Sequence, residues 1–182
     1  DPRLAEELAR IVARNGSRRI ELQTGMVKDL AAERQFDCIL YIDVLEHILD
    51  DRGELQRASR FLAQGGYLVV LSPAFQFLYS PFDKALGHER RYTIRTLSEA
   101  FPTGLARERV FYADSVGALA SLSNRLLLRS QLPTRAQILL WDRAMIPVSR
   151  VLDGAAHRWF GRSVIGVYSR PRETVASRAS PI

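Results

Sequence analysis

Asp43, Glu46 and His47 place three ionisable groups within five residues, at the end of the apolar run Phe36–Val44 (FDCILYIDV). An apolar strand end strips water from such groups and shifts their pKa values, and catalytic acids and bases are drawn from such positions. In the alternative reading Glu46 and His47 cap the turn that follows and face water. A second group, His88, Arg90, Arg91 and Tyr92, lies farther along. Its arginines suit a lid that holds an anionic acceptor, or equally the cap of a helix over Thr93–Phe101. His157, beside Trp159 and Phe160, reads as a packing or surface residue.

The elements that must position these groups alternate. Pro2 suits a first helical position behind an Asp1 cap, and Leu4, Leu8, Ile11 and Val12 recur on one face until Asn15-Gly16. Arg19–Thr24 alternates as a short strand, followed by a turn at Gly25 and a polar loop to Arg34. Phe36–Val44 reads as a strand buried on both faces of a parallel sheet. Asp50-Asp51 cap a helix bearing Leu55, Ala58, Phe61 and Leu62 on one side, and Gly65-Gly66 ends it. Tyr67–Leu71 is the next buried strand, and Ala74–Tyr92 is an aromatic-rich loop or lid. Arg107–Tyr112 and Ser163–Ser169 are further strands. Between them lie helices Val116–Leu128 and Thr134–Leu152, broken at Leu132-Pro133 and kinked at Pro147. In the second helix Ile138, Trp141, Met145, Val148 and Leu152 share a face, while Arg135, Asp142, Arg143 and Arg150 lie off it. Residues 171–182 form a polar tail.

Strands alternating with helices predict an α/β fold with an open, doubly wound, mostly parallel sheet, whose ligands bind at the carboxyl ends of the strands. The 182 residues suffice for one such domain, and the 47% hydrophobic and 25% charged content excludes a disordered, collagen-like or disulfide-scaffold chain. No apolar run reaches the roughly 18 residues of a membrane span. A soluble or peripheral protein is expected, and the lone Cys38, read as a small buried residue, suits a reducing, cytoplasmic compartment. Of the 26 basic residues all but Lys28 and Lys84 are arginine, against 20 acidic residues. They are scattered, so the net charge of +6 does not indicate a specific nucleic-acid partner.

FDCILYIDVLEHILDD, then a helix, then Gln64-Gly65-Gly66 leading into Tyr67–Pro73, resembles the second half of a class I S-adenosylmethionine-dependent methyltransferase of the broad small-molecule type. Tyr79–Asp83 through Gly87–Tyr92 is similar to the segment after strand 5 in one subgroup. The resemblance covers about residues 1–112, with Ser163–Ser169 as the final strand. The family sheet runs 3-2-1-4-5-7-6, and this chain offers candidates for strands 3, 4, 5, 6 and 7. Neither the glycine-rich G-x-G-x-G loop nor the acidic residue that holds the ribose is present. Both are expected upstream of Asp1, which makes the chain an N-terminally truncated domain over 1–170 with a helical insertion at about 116–152.

The resemblance implies S-adenosylmethionine as cofactor, with Gly25, Met26 and Val27 flanking the adenine and Tyr41, Ile42 and His47 lining the pocket. It implies methyl transfer to a small-molecule or lipid-like acceptor, with His47 as base beside Glu46 and Asp43, and His88, Arg90, Arg91 and Tyr92 on the acceptor side. The chain alone is then expected to bind cofactor weakly and to be inactive. In a variant of this reading Asp43, Glu46 and His47 hold a divalent metal, Mg, Mn or Zn; the main reading does without one. The insertion is expected to wall the acceptor pocket. The rival is a noncatalytic module whose arginine-bearing helices contact an anionic membrane or protein partner. A nicotinamide-linked dehydrogenase lacks its G-x-G-x-x-G.

Overall fold

The computed structural model describes residues 2–14, 20–123, 139–156 and 159–172. Residues 1–32 and 33–182 are separate compact units. In the first, helix α1 (Pro2–Arg14) forms as its apolar spacing predicts, and a short 3-10 turn covers Val27–Asp29. The strand expected over Arg19–Thr24 is absent from its described residues, 20–24. Alternation alone does not make a strand: backbone groups need a neighbouring ladder, and the sheet order contains no partner for this segment.

The second unit holds a four-stranded sheet in the order β1-β2-β4-β3, where β1 is Phe36–Ile42, β2 Leu62–Pro73, β3 Ala106–Ala113 and β4 Ser163–Ser169. β1 and β2 are parallel, and β4 runs antiparallel to both β2 and β3. Three strands therefore point one way, and the order is that of strands 4-5-7-6 in the expected sheet. The row Tyr41–Val70–Gly166–Val110 crosses all four strands. Leu68, Val70, Val164, Tyr168 and Tyr112 are buried on this face with Leu55 and Ala58 of α2 (Asp51–Ser59) and Leu97 and Ala100 of α4 (Ile94–Ala100). Gly166 is needed here because a Cβ would meet the ring of Phe101, which stacks on Tyr168 at 3.8 Å between centroids.

Two strand readings need correction. β1 is buried on one face only: Leu40 and Ile42 are 60% and 49% exposed, and Cys38 is exposed with them. It is the edge strand of the sheet, and among the described residues of this unit no layer covers the side chains opposite Tyr41. The α2 helix also stops at Ser59, before Phe61 and Leu62, because β2 starts at Leu62 to pair with Phe36. Gly65, at φ +78°, is thus a bend within β2, donating its N–H to the Arg170 carbonyl, rather than a helix stop.

Ala74–Tyr92 is more ordered than a loop. It contains α3 (Pro81–Leu86), and Ala74 and Tyr92 form an isolated bridge. After β3, α5 (Ser115–Ser123) and α6 (Ile146–Ala156) form the described part of the insertion. Pro147 follows a π-helical turn, Trp141–Met145, which relieves the clash that a proline ring makes with the preceding turn. The inward face of α6 is not the apolar one expected. Ser149 is buried and Asp153 accepts the N–H groups of Asp114 and Ser115 at 2.7 and 2.9 Å, while Val148, Val151 and Leu152 are exposed. The break at Leu132-Pro133, His157 and residues 173–182 lie outside the described residues. Among the described residues no helix is long and apolar enough to cross a membrane.

Candidate functional site

Each of the three mutually parallel strands is followed within two residues by a non-glycine residue at positive φ: Asp43 (50°) after β1, Phe75 (61°) after β2 and Asp114 (60°) after β3. Left-handed backbone is unfavourable for residues with a Cβ and concentrates at functional sites. The carboxyl edge of the sheet, where open α/β sheets bind ligands, is therefore where this fold stores strain.

The Asp43 N–H donates to the Leu71 carbonyl at 3.0 Å, anchoring the end of β1, while its carboxylate is exposed. The chain then makes a 3-10 turn, Leu45–His47. Leu45 drops into the core, and Glu46 goes in with it, with no exposed surface. Ser72 Oγ, at the end of β2, donates to Glu46 Oε2 at 3.0 Å, and Glu46 Oε1 is buried without a partner among the described residues. Burial pushes the Glu46 carboxyl above its ordinary pKa, against the opposing pull of the Ser72 bond. His47 is exposed and donates from Nδ1 to the Gly87 carbonyl at 3.2 Å.

The third member arrives from the segment after β2. Glu89 N–H donates to the Glu46 carbonyl at 2.8 Å, which brings His88 against His47 with ring centroids 4.7 Å apart, edge to face. His88 Nδ1 meets Asp83 Oδ1 at 2.9 Å. Asp83 is fully buried and also accepts from Arg91 Nε and Nη2 at 2.8 and 3.0 Å and from Ser80 N and Oγ at 2.8 Å each. Burial would raise its pKa, but the Arg91 and Ser80 bonds outweigh that and hold it below the ordinary aspartate value. One ligand atom each from Glu46, His47 and His88 lie within 4.8 Å of one another. This converging group takes His88 and not Asp43.

Residues 2–70, which include the Asp43–His47 turn, match a family model described as "Methyltransferase domain". The class I S-adenosylmethionine-dependent resemblance read in the sequence is borne out by this match and by the fold of solved structures. The YcgJ protein from Bacillus subtilis aligns at TM-score 0.58 and 14% identity over 96% of this chain and 80% of its own. Coclaurine N-methyltransferase, bound to N-methylheliamine and S-adenosylhomocysteine, aligns at 0.56 and 12% identity over 91% of this chain and 57% of its own. The [4+2]-cyclase SpnF aligns at 0.56 and 16% identity over 90% of this chain and 61% of its own. At such identities the likeness is one of fold, and a cyclase among them shows that this fold hosts more than one chemistry. No curated protein matches the chain.

The structure places the other expected residues unevenly. Tyr41 points into the core, its hydroxyl donating to Glu54 at 2.9 Å, so it braces α2 instead of lining a pocket. Ile42 and Val44 present exposed apolar surface at the strand end. Gly25, Met26 and Val27 lie in the first unit, where the Met26 N–H donates to Asp29 at 2.8 Å and its side chain is exposed. Arg91 is spent on Asp83, and buried Tyr92 donates to Asp51 at 2.7 Å; both hold the segment rather than offer themselves to a ligand. Arg90 reaches Asp51 at 3.0 Å and the Leu49 carbonyl at 2.9 Å. The rule that ligands bind at strand ends points to Ser72, but sequence reasoning missed Asp83. The Ser80-x-x-Asp83 spacing is a capping-box signal, but nothing local announces Arg91 or His88 as partners of Asp83. A groove lined by Ile94, Arg95, Ser98, Arg107 and Trp159 shares no residue with this cluster.

Proposed function

We propose that the protein carrying this chain transfers a methyl group from S-adenosylmethionine to a small-molecule or lipid-like acceptor at the carboxyl edge of β1 and β2. The observation that carries the reading is that Asp43–His47 follows β1 inside the residues matched to a methyltransferase domain. Exposed Ile42 and Val44 fit an apolar wall for a nucleoside. The Asp43 carboxylate favours a cation at the strand end. S-adenosylmethionine, when bound, supplies a methyl group on a positively charged sulfur.

His47 is placed to manage the acceptor's proton. Its Nδ1–H is committed to the Gly87 carbonyl, so Nε2 carries the lone pair that takes the acceptor's proton. His88 and Arg90 stand on the acceptor side. Alignment of acceptor and methyl is the rest of the task.

The test is ligand-observed NMR with S-adenosylhomocysteine. Weak binding is expected, because a chain without the glycine loop and ribose carboxylate lacks two hydrogen-bonding elements worth roughly 10²- to 10⁴-fold together. Ile42→Asp removes the signal and Tyr41→Phe keeps it. No signal from the parent, or equal signals from parent and Ile42→Asp, overturns the reading.

A further inference from the structure

Three side chains able to ligate a metal converge beside the β1 turn. Both histidines donate from Nδ1, His47 to the Gly87 carbonyl and His88 to the Asp83 carboxylate, which leaves a lone pair on each Nε2. Glu46 Oε1 is buried and has no donor among the described residues. One candidate ligand atom from each of Glu46, His47 and His88 lies within 4.8 Å of the other two, close enough for a single cation to be shared among them.

We propose that Glu46, His47 and His88 bind a divalent first-row transition metal of the zinc class, with Asp83 as the positioning residue behind His88. Two nitrogens and one oxygen suit zinc or cobalt, whereas magnesium and calcium take all-oxygen shells. Three protein ligands leave a fourth, open position, the pattern of reactive rather than structural zinc sites. Asp83 supplies the usual support: a carboxylate holding the far nitrogen of a ligating histidine fixes its tautomer and its direction. Arg91 and Ser80 fix Asp83 in turn, and the Glu89–Glu46 backbone bond locks the two segments together. Zinc bonds of about 2.0–2.1 Å require the three atoms to close by roughly 1 Å. His47, the exposed member, has room to make that movement.

The metal site stands apart from the methyl-transfer reading. Only its use rests on that reading: a bound ion occupies His47 Nε2 and takes over from it the acidification of an acceptor hydroxyl.

The experiment strips the full chain with chelator and titrates it with Zn²⁺ by calorimetry and with Co²⁺ by visible absorption, with no methyl donor present. The parent is expected to bind one ion per chain and to give the intense absorption of low-coordinate cobalt. His47→Ala and His88→Ala lose roughly 10²-fold or more in affinity, Asp83→Asn loses roughly 10- to 100-fold, and His157→Ala changes nothing. His47 is exposed, so its variant folds and decides the matter even where a buried substitution does not. No binding of either ion in molar excess, or equal binding by parent and His47→Ala, which marks an adventitious ion only, overturns the proposal. Failure to bind S-adenosylhomocysteine leaves it untouched.

Discussion

His88 and Asp83 lie 2.9 Å apart and almost wholly shielded from water: the histidine side chain is 8% exposed and the aspartate has no exposed surface. A carboxylate so placed needs a permanent counter-charge, and Arg91, also 8% exposed, supplies it through two hydrogen bonds. The network ties α3 to the strand-like end of the segment at Tyr92. It is the part of the site that sequence spacing does not reveal.

Asp83→Asn removes the charge and leaves the Arg91 guanidinium buried without its partner. Breaking a buried pair in this way costs about 3–5 kcal/mol, more than the pair itself contributes. Urea unfolding of the metal-free protein checks this, and a loss under about 1 kcal/mol, the value of an exposed pair, contradicts the burial described.

What the sequence made legible is what local patterning encodes. Ser163–Ser169 is recovered to the residue, and the helix after Thr93 forms with Thr93 as its cap. Cys38 and Leu40 were misjudged because an apolar run looks the same on an edge strand as in a sheet covered on both faces. Leu62 was misjudged because pairing with Phe36 overrides a helical spacing that extends to it. At the site, Glu46 and His47 stand out by type and position. Their convergence with His88 depends on a contact spanning about 40 residues, which no short motif carries.

Tyr41→Phe tests the brace between β1 and α2 and has a definite pH signature. Burial first, then the hydrogen bond to Glu54 and its negative charge, raise the Tyr41 pKa above its ordinary value of 10. A folded pKa above the unfolded one contributes stability that is complete below pH 10 and lost as pH rises through the folded value. At pH 7 the variant is expected to be less stable by about 1.5–3 kcal/mol, the range for a hydrogen bond to a charged group. Above pH 10 the gap should narrow. Denaturation at both pH values measures it, and a constant gap would refute the assignment.

Asp50→Ala addresses the entry to α2. Asp50 accepts from the Gly53 N–H at 3.0 Å and lies 3.5 Å from Arg57, so it satisfies an orphan donor and marks the start of the helix. Loss of such a cap costs about 1 kcal/mol. A lowered Tm with unchanged zinc affinity is the expected pair of results, since no metal-directed atom belongs to this cap.

Gly161→Ala asks whether the strained turn after β3 can yield. A Cβ at Gly161 would run into the Ala113 carbonyl oxygen and sit 2.7 Å from the Ala113 nitrogen. Neither atom is the end of a flexible side chain. Ala113 is paired with Ser163 in the sheet, and the next residue, Asp114, accepts from the Arg162 N–H through its carbonyl and from Gly117 N–H and Ser149 Oγ through its carboxylate. Relief therefore has to move β3, α5 and α6 together, and the expected destabilisation is about 1–3 kcal/mol, that of an overpacked core. Gly104→Ala is the matched control. Nothing lies within 4 Å of its added methyl and its φ is not positive, so the variant should be neutral or gain about 0.4–1 kcal/mol through the unfolded chain. Thermal melts of both variants decide the point: equal effects at the two glycines would mean that the carboxyl edge beside Asp114 is plastic, and the positive φ there would then be no sign of stored strain.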